Sequence, residues 1–285
     1  MDVFTTCTEL HEQVTEQLSS GKSVGFVPTM GALHEGHMSL VDCSVSQNDV
    51  TVASIFVNPK QFTNTEDLRT YPRTIENDLD MLENAGCHMV FVPTVSEMYP
   101  EGEKATELYN FGELENVMEG VFRPGHFNGV AVIVKRLFDV VTPTRAYFGL
   151  KDFQQLTIIK SLVSQYDIPV EIVPCDIVRE DDGLAMSSRN VRLQPAERKQ
   201  ATRISQTLFE AQKYIFKKTV NEVRKCVVHS INKEPLLSVE YFDIVNAETL
   251  QQIETWDETD TIVGCVAVNV GEVRLIDAVM FKNRK

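Results

Sequence analysis

Short apolar runs and amphipathic stretches alternate along the first two thirds of the chain. The apolar runs have the length of strands, and several stop at a proline or a glycine. They predict strands at residues 23–27, 50–57, 88–92, 145–148 and 170–173. The amphipathic stretches between them predict helices at residues 8–20, 36–46, 73–85, 129–141 and 152–165. This order predicts an α/β fold with a doubly wound, mostly parallel, Rossmann-like sheet.

The pattern changes near residue 190. Two charged helices and then three strands are predicted, at residues 195–217, 220–232, 238–245, 261–270 and 273–280. Gly271 and Glu272, between the last two strands, predict a hairpin turn. Helices followed by consecutive strands indicate a smaller α+β domain. We therefore expect a first domain over residues 1–182 and a C-terminal α+β domain over residues 183–285.

Composition is typical of a soluble globular enzyme. Of the 285 residues, 43% are hydrophobic and 24% are charged. The net charge of −14 argues against nucleic-acid binding, because such binding depends on Lys and Arg neutralising phosphates. The six cysteines are scattered without a C-x-x-C pair, which argues against disulfides and zinc. No signal-peptide pattern and no membrane-spanning apolar run is present, so we expect a cytoplasmic protein without membrane contact.

The most informative stretch joins the first long predicted strand to a predicted helix. It contains Gly31, His34, Gly36 and His37 within the sequence PTMGALHEGH. Unpaired backbone N–H groups and the helix dipole at such a junction favour phosphate. The two histidines are three residues apart and face one side of the first helical turn, where they would stabilise a leaving pyrophosphate. The alternative is that two surface histidines lie near a helix start by chance.

This stretch is neither of the two best-known phosphate motifs. No G-K-[ST] follows it, and G-x-G-x-x-G is absent. Residues 25–40 (GFVPTMGALHEGHMSL) instead resemble the ATP signature of the pantothenate synthetase family, which belongs to the H-x-G-H nucleotidyltransferase-like superfamily. Further matches follow in order at residues 54–62, 71–74, 123–127, 147–152, 154–155 and 183–190. The C-terminal third is less distinctive.

The resemblance implies a two-step ligase reaction. The carboxylate of pantoate would attack the α-phosphorus of ATP, giving pantoyl-adenylate and pyrophosphate. The amine of β-alanine would then displace AMP and form pantothenate, with Mg²⁺ accompanying the nucleotide. The resemblance also implies a homodimer and a C-terminal domain that covers the active site.

The matching motifs imply particular site residues. Those implied to catalyse are His37, His34 and Lys151. Those implied to bind ATP are Met30, Gly31, Ala32, Leu33, His34, Glu35, Gly36, His37, Gly149, Leu150, Lys151, Asp152, Val178, Met186, Ser187, Ser188 and Arg189. Those implied to bind pantoate or β-alanine are Gln61, Gln155, Asn58 and Arg123. Asp78 is predicted to lie near the magnesium ion, although Mg²⁺ binds mainly through substrate phosphates.

The chemistry of these residue types suits the implied roles. A Gln amide can donate to a hydroxyl or a carboxylate, and a Lys ammonium suits phosphate as a point charge. Two serine hydroxyls beside Arg189 suit an anion in a loop that closes over ATP. Leu150 departs from the family, which usually has an acidic or amide residue there, so a side-chain role at that position is in doubt. Without the resemblance, each group has an ordinary solvent-exposed alternative.

Three alternative functions remain open from the sequence. A pantetheine-phosphate or nicotinate-mononucleotide adenylyltransferase would stop at nucleotide transfer, but such chains lack the blocks around Gln61 and Gln155 and the C-terminal domain. A tRNA-charging enzyme is disfavoured by the negative charge and by the lack of an RNA-binding module. A catalytically inactive nucleotide sensor on the same fold would bind ATP without releasing pyrophosphate.

Overall fold

The computed structural model describes residues 1–102 and 107–283, and these residues form two compact units. Unit 1 contains Met1–Phe111, Arg123–Gly149 and Ile158–Asp176. Unit 2 contains Gly112–Phe122, Leu150–Thr157 and Ile177–Lys285. Unit 2 therefore includes two early segments, Gly112–Phe122 and Leu150–Thr157, that lie within the first domain expected from the sequence.

Unit 1 is built on a six-stranded sheet whose strand pairs are all parallel. The strands are β1 (Asp2–Phe4), β2 (Val24–Thr29), β3 (Val50–Ile55), β4 (Met89–Phe91), β5 (Arg145–Gly149) and β6 (Glu171–Cys175). Their order in the sheet is β1-β4-β3-β2-β5-β6. The parallel, doubly wound sheet is confirmed, and β1 is an additional strand that the apolar pattern was too short to reveal. The strand order reverses between β2 and β5, and ligands bind beyond the carboxyl ends of strands at such a point.

Eight α-helices of the described residues precede or lie between the sheet strands and the C-terminal part of the chain. Those of the first half of the chain are α1 (Cys7–Ser19), α2 (Glu35–Gln47), α3 (Thr65–Thr70), α4 (Ile75–Asn84) and α5 (Val95–Met98). They are followed by α6 (Met118–Phe122), α7 (His126–Val141) and α8 (Phe153–Gln165). The longest described helix, α7, has 16 residues. Within the described ranges, no helix combines the length and the apolar character needed to cross a bilayer.

The core of unit 1 lies against both faces of its central strands. Every residue of β3 is buried, as expected for a strand covered on both sides. Val27, Ala53 and Val90 of the sheet pack in one cluster with Val41 of α2 and Leu82 of α4. This packing fixes the ends of β2 and β3, where the candidate site begins.

Unit 2 contains a three-stranded antiparallel sheet in the order β7-β8-β9. Its main elements are α9 (Pro195–Ala201), α10 (Arg203–Gln212), α11 (Val220–Ile231), β7 (Leu237–Asn246), β8 (Thr261–Val270) and β9 (Val273–Asn283). The hairpin between β8 and β9 is confirmed, because Val270 pairs with Val273 and Gly271 has φ +54. The single helix predicted over residues 195–217 is wrong: it divides after Ala201 and ends at Gln212.

Candidate functional site

The loop that joins β2 to α2, residues 30–34, has an unusual backbone. Gly31 has φ +76 and Ala32 has φ +50, so two consecutive residues are left-handed. A Cβ atom at Gly31 would lie 2.9 Å from Asp78 Oδ2 and 2.9 Å from Ile55 Cγ2. Glycine is therefore required at position 31 by both conformation and space.

A buried carboxylate on α4 holds this loop. Asp78 is 1% exposed, and its Oδ2 accepts a hydrogen bond from Ala32 N at 2.9 Å. Its Oδ1 accepts from Leu33 N at 2.9 Å and from Thr74 Oγ1 at 3.0 Å. These bonds make Asp78 a positioning residue for the loop. Its role near a magnesium ion stays a prediction, and the described residues include no group of three or more His, Cys, Asp or Glu that would hold a metal.

Several backbone N–H groups of the loop and of the first turn of α2 already donate to acceptors within the protein. Besides Ala32 and Leu33, Gly31 N donates to Thr29 Oγ1 at 3.2 Å. Gly36 N donates to His34 Nδ1 at 3.1 Å, and His37 N donates to His34 O at 2.7 Å. The expectation that these groups are unpaired is therefore wrong. An anion at this helix start would depend on the histidine side chains and on the helix dipole.

The two histidines are brought together as predicted. His34 is the N-cap of α2, and because its Nδ1 accepts from Gly36 N, the proton of the neutral ring is assigned to Nε2. The ring centroids of His34 and His37 are 4.0 Å apart with an interplanar angle of 38°. Two neighbouring imidazoles at the N-terminus of a helix can donate to one polyphosphate.

A second part of the site follows β3. The 3-10 turn Pro59–Gln61 is capped by Asn58, which is 1% exposed. Asn58 Nδ2 donates to Gln61 Oε1 and to Gly129 O, each at 3.1 Å. Asn58 Oδ1 accepts from Lys60 N at 3.2 Å and from Tyr99 OH at 2.7 Å. Protein groups thus occupy all four hydrogen-bonding positions of the Asn58 amide. This geometry indicates that Asn58 orients Gln61. Direct contact between Asn58 and a substrate stays a prediction.

Gln61 connects this turn to the β2–α2 loop. Its Oε1 is held by Asn58, which turns its Nε2 towards Met30, where the Nε2–Sδ distance is 2.9 Å. The Gln61 side chain is buried, at 9% exposure. Two predicted site residues from separate motifs therefore meet in unit 1.

Arg123 lies against the backbone of the same turn. Arg123 Nη2 donates to Gln61 O at 3.3 Å, and His126 Nδ1 donates to the same oxygen at 2.8 Å. The Nε2 of His126 therefore accepts from Arg123 Nη1 at 3.2 Å, which assigns a neutral His126 ring. Gly129 lets α7 approach closely, since a Cβ there would lie 2.3 Å from Lys60 O. The sequence motif contained His126, but residue type alone did not indicate this contact.

In unit 2, Lys151 and the segment of residues 186–189, called here the serine–arginine segment, are in contact. Lys151 belongs to the 3-10 turn Leu150–Asp152, and its Nζ donates to Met186 O at 2.9 Å. Met186 N in turn donates to Val178 O at 3.1 Å. Three residues predicted to bind ATP are thereby connected. The side chain of Leu150 packs against a hydrophobic cluster of unit 2, which explains an apolar residue at this position.

An ion pair holds the chain just before this segment. Arg179 Nη1 and Nη2 donate to the two oxygens of Asp277 at 2.7 and 2.9 Å, and Nη1 also donates to Gly183 O at 3.2 Å. Burial raises the pKa of the Asp277 carboxyl, and the Arg179 guanidinium acts against this rise. Within the segment, Arg189 N donates to Ser187 Oγ at 3.3 Å.

The adjacent glutamines of α8 have different surroundings. Gln154 is buried, its Nε2 donates to Leu114 O and Val117 O at 2.8 and 2.9 Å, and its Oε1 accepts from Glu119 N at 2.9 Å. Gln155 is half-buried, and its side chain has no hydrogen bond within the described part of the chain. The predicted ligand, Gln155, is therefore the glutamine whose amide is available.

Sequence and structure comparisons match this chain, over nearly its whole length, to proteins of one family. The family described as pantoate-beta-alanine ligase matches residues 2–280. A pantothenate synthetase of Bacteroides thetaiotaomicron is 52% identical over 282 residues, covering 99% of each chain. A crystal structure of pantothenate synthetase from Thermus thermophilus is 41% identical with a TM-score of 0.92, covering 99% of this chain and 100% of that one.

A third similar protein carries ligands. The pantoate-beta-alanine ligase of Francisella tularensis, crystallised with beta-gamma ATP and beta-alanine, is 32% identical with a TM-score of 0.83. The alignment covers 99% of this chain and 98% of that one. Together with the full-length sequence match, this similarity leads to one conclusion: the chain belongs to the pantoate-beta-alanine ligase family.

Proposed function

We propose that this chain uses ATP to condense pantoate with β-alanine, giving pantothenate, AMP and pyrophosphate. The observation that carries the proposal is the arrangement in unit 1. There the paired histidines begin α2, and the oriented amide of Gln61 reaches Met30 of the preceding loop. The histidines proposed to bind polyphosphate and the Gln61 amide proposed to bind a small acid thus lie in one hydrogen-bonded part of unit 1. The family membership and the ligands of the Francisella tularensis protein support the same reaction.

The first proposed step is adenylate formation. A carboxylate oxygen of pantoate attacks the α-phosphorus of ATP, and the bond from that phosphorus to pyrophosphate breaks. His34, through its Nε2–H, and His37 donate to the phosphates and stabilise the charge that develops on the leaving group. Lys151 supplies a positive charge for the same purpose, with Ser187, Ser188 and Arg189 in support.

The second proposed step is amide formation. The amine nitrogen of β-alanine attacks the acyl carbon of pantoyl-adenylate, the acyl–oxygen bond to AMP breaks, and the nitrogen loses a proton. Gln61 and Gln155 hold pantoate by hydrogen bonds, and Gln61 also contacts β-alanine. No covalent enzyme intermediate is required, so positioning supplies much of the rate enhancement.

The described residues do not fit a protein-held metal. Both oxygens of Asp78 are engaged by protein donors, and no described cluster of three metal-ligating side chains exists. We propose that Mg²⁺ arrives on the phosphates of ATP, as is common for this ion. We further propose that the protein is cytoplasmic and that it forms a homodimer. Light scattering coupled to size-exclusion chromatography would test the homodimer by its molar mass.

A product assay tests the function. With ATP and pantoate alone, we expect pyrophosphate without stoichiometric AMP release, and added β-alanine should release AMP continuously. An adenylyltransferase would release no AMP, and an inactive nucleotide sensor would release no pyrophosphate. Either result would contradict the proposal.

A histidine variant tests the assigned roles. We expect His37→Ala to lower kcat for pyrophosphate release by roughly a hundredfold to a thousandfold, the usual effect of removing a donor to a developing anion. His229→Ala, on the exposed side of α11, is the matched control and should retain full activity. Wild-type pyrophosphate release by a folded His37→Ala chain would remove His37 from the mechanism.

A further inference from the structure

The amide of Asn58 is anchored from a distant part of unit 1 by a buried tyrosine. Tyr99 follows α5 and is 2% exposed. Its hydroxyl donates to Asn58 Oδ1 at 2.7 Å, which is the shortest of the four hydrogen bonds to that amide. Because 41 positions separate the two residues along the chain, the contact depends on the fold rather than on a local turn.

The backbone groups of Lys60 and Gly129 determine which way the Asn58 amide points, and the hydroxyl of Tyr99 restrains the amide in that orientation. Asn58 Oδ1 receives donors from Tyr99 OH and from Lys60 N, while Nδ2 donates to Gln61 Oε1 and Gly129 O. A flipped amide would place an NH₂ group against the N–H of Lys60, and would place its oxygen against the oxygens of Gln61 and Gly129. In the orientation so fixed, the Tyr99 hydroxyl donates to Oδ1 and restrains the position of the amide that holds Gln61.

The ring of Tyr99 has its own support. Lys60 Nζ lies 4.3 Å from the ring centroid, and Arg136 Cζ lies 5.0 Å from it. The ring of Phe56 is 6.3 Å away, centroid to centroid. These contacts do not involve the hydroxyl, so the ring is expected to stay in place when the oxygen atom is removed.

We propose that Tyr99 is a positioning residue for pantoate binding, acting on the Gln61 amide through Asn58. The inference rests on the proposed function for the identity of the acid that Gln61 binds. The chain of bonds runs from the Tyr99 hydroxyl to Asn58 Oδ1, and from Asn58 Nδ2 to Gln61 Oε1. It leaves Gln61 Nε2 directed at the side of the β2–α2 loop that carries Met30.

Tyr99→Phe removes the hydroxyl and keeps the ring. We expect the KM for pantoate to rise about tenfold, the effect of losing one well-formed hydrogen bond. The KM for ATP should change by less than about twofold, because the histidine pair does not belong to this chain of bonds. Equal increases in both KM values, an unchanged KM for pantoate, or a chain that no longer folds would each overturn the proposal.

Tyr147→Phe is the matched control. Tyr147 is also buried in unit 1, and its hydroxyl also meets an asparagine: it accepts from Asn48 Nδ2 at 2.7 Å and donates to Gln47 Oε1 at 3.1 Å. These partners lie at the C-terminal end of α2, away from Gln61. The control should lose comparable stability and keep its KM for pantoate.

A double-mutant cycle tests whether Tyr99 acts through Asn58. We expect Asn58→Ala to raise the KM for pantoate, and Tyr99→Phe to add no further increase in the Asn58→Ala background. Independent, multiplicative effects of the two substitutions would show that Tyr99 acts by another route and would overturn the proposal.

A measurement without substrate separates this inference from the proposed function. The side-chain amide signals of Gln61, assigned by their loss in Gln61→Ala, report the environment of Oε1 and Nε2 in ¹⁵N-glutamine-labelled protein. Tyr99→Phe should shift these signals and Tyr147→Phe should not. If wild-type protein fails to form AMP, the proposed function fails while this readout still tests the bond chain, and unshifted Gln61 signals would overturn it.

Discussion

The β2–α2 loop and the serine–arginine segment are both assigned to ATP, but the protein holds them differently. In the loop, consecutive N–H groups of Ala32 and Leu33 donate to the buried carboxylate of Asp78, which comes from a separate helix. The bonds of the serine–arginine segment include Met186 N to Val178 O, Lys151 Nζ to Met186 O and Arg189 N to Ser187 Oγ, and none of these acceptors is a charged group. Since both elements are proposed to bind phosphate, we expect the loop to be fixed before ATP arrives and the serine–arginine segment to adjust to it.

The largest effect is expected from Asp78→Asn. The amide NH₂ would face one of the two backbone N–H groups, leaving a buried donor without an acceptor and disturbing the left-handed turn at Gly31. We expect kcat/KM to fall on the order of a hundredfold and the free energy of unfolding to fall by about 2 to 3 kcal/mol. Product assays and urea denaturation measure the two quantities.

Asp80→Asn is the control for this substitution. Asp80 lies on the same helix, is exposed, and its side chain makes no hydrogen bond within the described part of the chain. It should leave both activity and stability unchanged. If Asp78→Asn behaved like Asp80→Asn, the loop would not depend on the buried carboxylate, and the contrast with the serine–arginine segment would disappear.

An intermediate effect is expected from substitutions of the two glutamines of α8. One substitution should lower the stability of the protein, and the other should weaken the binding of pantoate. Gln154→Leu removes three hydrogen bonds inside unit 2 and should lower the free energy of unfolding by about 2 kcal/mol. Gln155→Leu should preserve stability and raise the KM for pantoate about tenfold. Denaturation curves and initial rates distinguish the two, and a reversal of the pattern would mean that the available amide is not the ligand.

The smallest effect concerns backbone protection in the ligand-free protein. Amide hydrogens of Ala32 and Leu33 should exchange with solvent at least about tenfold more slowly than those of the serine–arginine segment, because their acceptor is buried and comes from α4. Hydrogen exchange read by mass spectrometry measures this difference. Equal exchange rates would show that both elements are held alike, and ATP should slow exchange mainly in the serine–arginine segment.

The local pattern of apolar and polar residues predicted the strand, loop and helix that carry the candidate site. The apolar run that ends at Pro28, followed by Gly31 and the two histidines, predicted strand, loop and helix in the correct order. The apolar runs also predicted the three strands of unit 2, and the middle strand, β8, is buried along almost its whole length. These features depend on residues that are neighbours in sequence.

What the sequence did not reveal depends on partners that are distant in sequence. Asp78 and Tyr99 act on groups 46 and 41 positions away, and no spacing rule indicates which acidic or aromatic residue will do so. For the same reason, Gln154 and Gln155 are equivalent as letters, and only packing distinguishes them. The segment Gly112–Phe122 was likewise expected in the first domain. In the structure it belongs to unit 2, where Glu119 N donates to the side chain of Gln154.

The close approach at Gly129 has a consequence for redesign. Helix α7 meets the Asn58–Gln61 turn main chain to main chain, with no room for even one methyl group. The main chain of this turn is thus positioned by the backbone of α7, while the side chain of Asn58 directs the Gln61 amide. If Gln61 binds the acid as proposed, attempts to broaden the acids that this enzyme accepts should vary the residues around Gln61 and leave position 129 unchanged, since an alanine there would displace the Asn58–Gln61 turn.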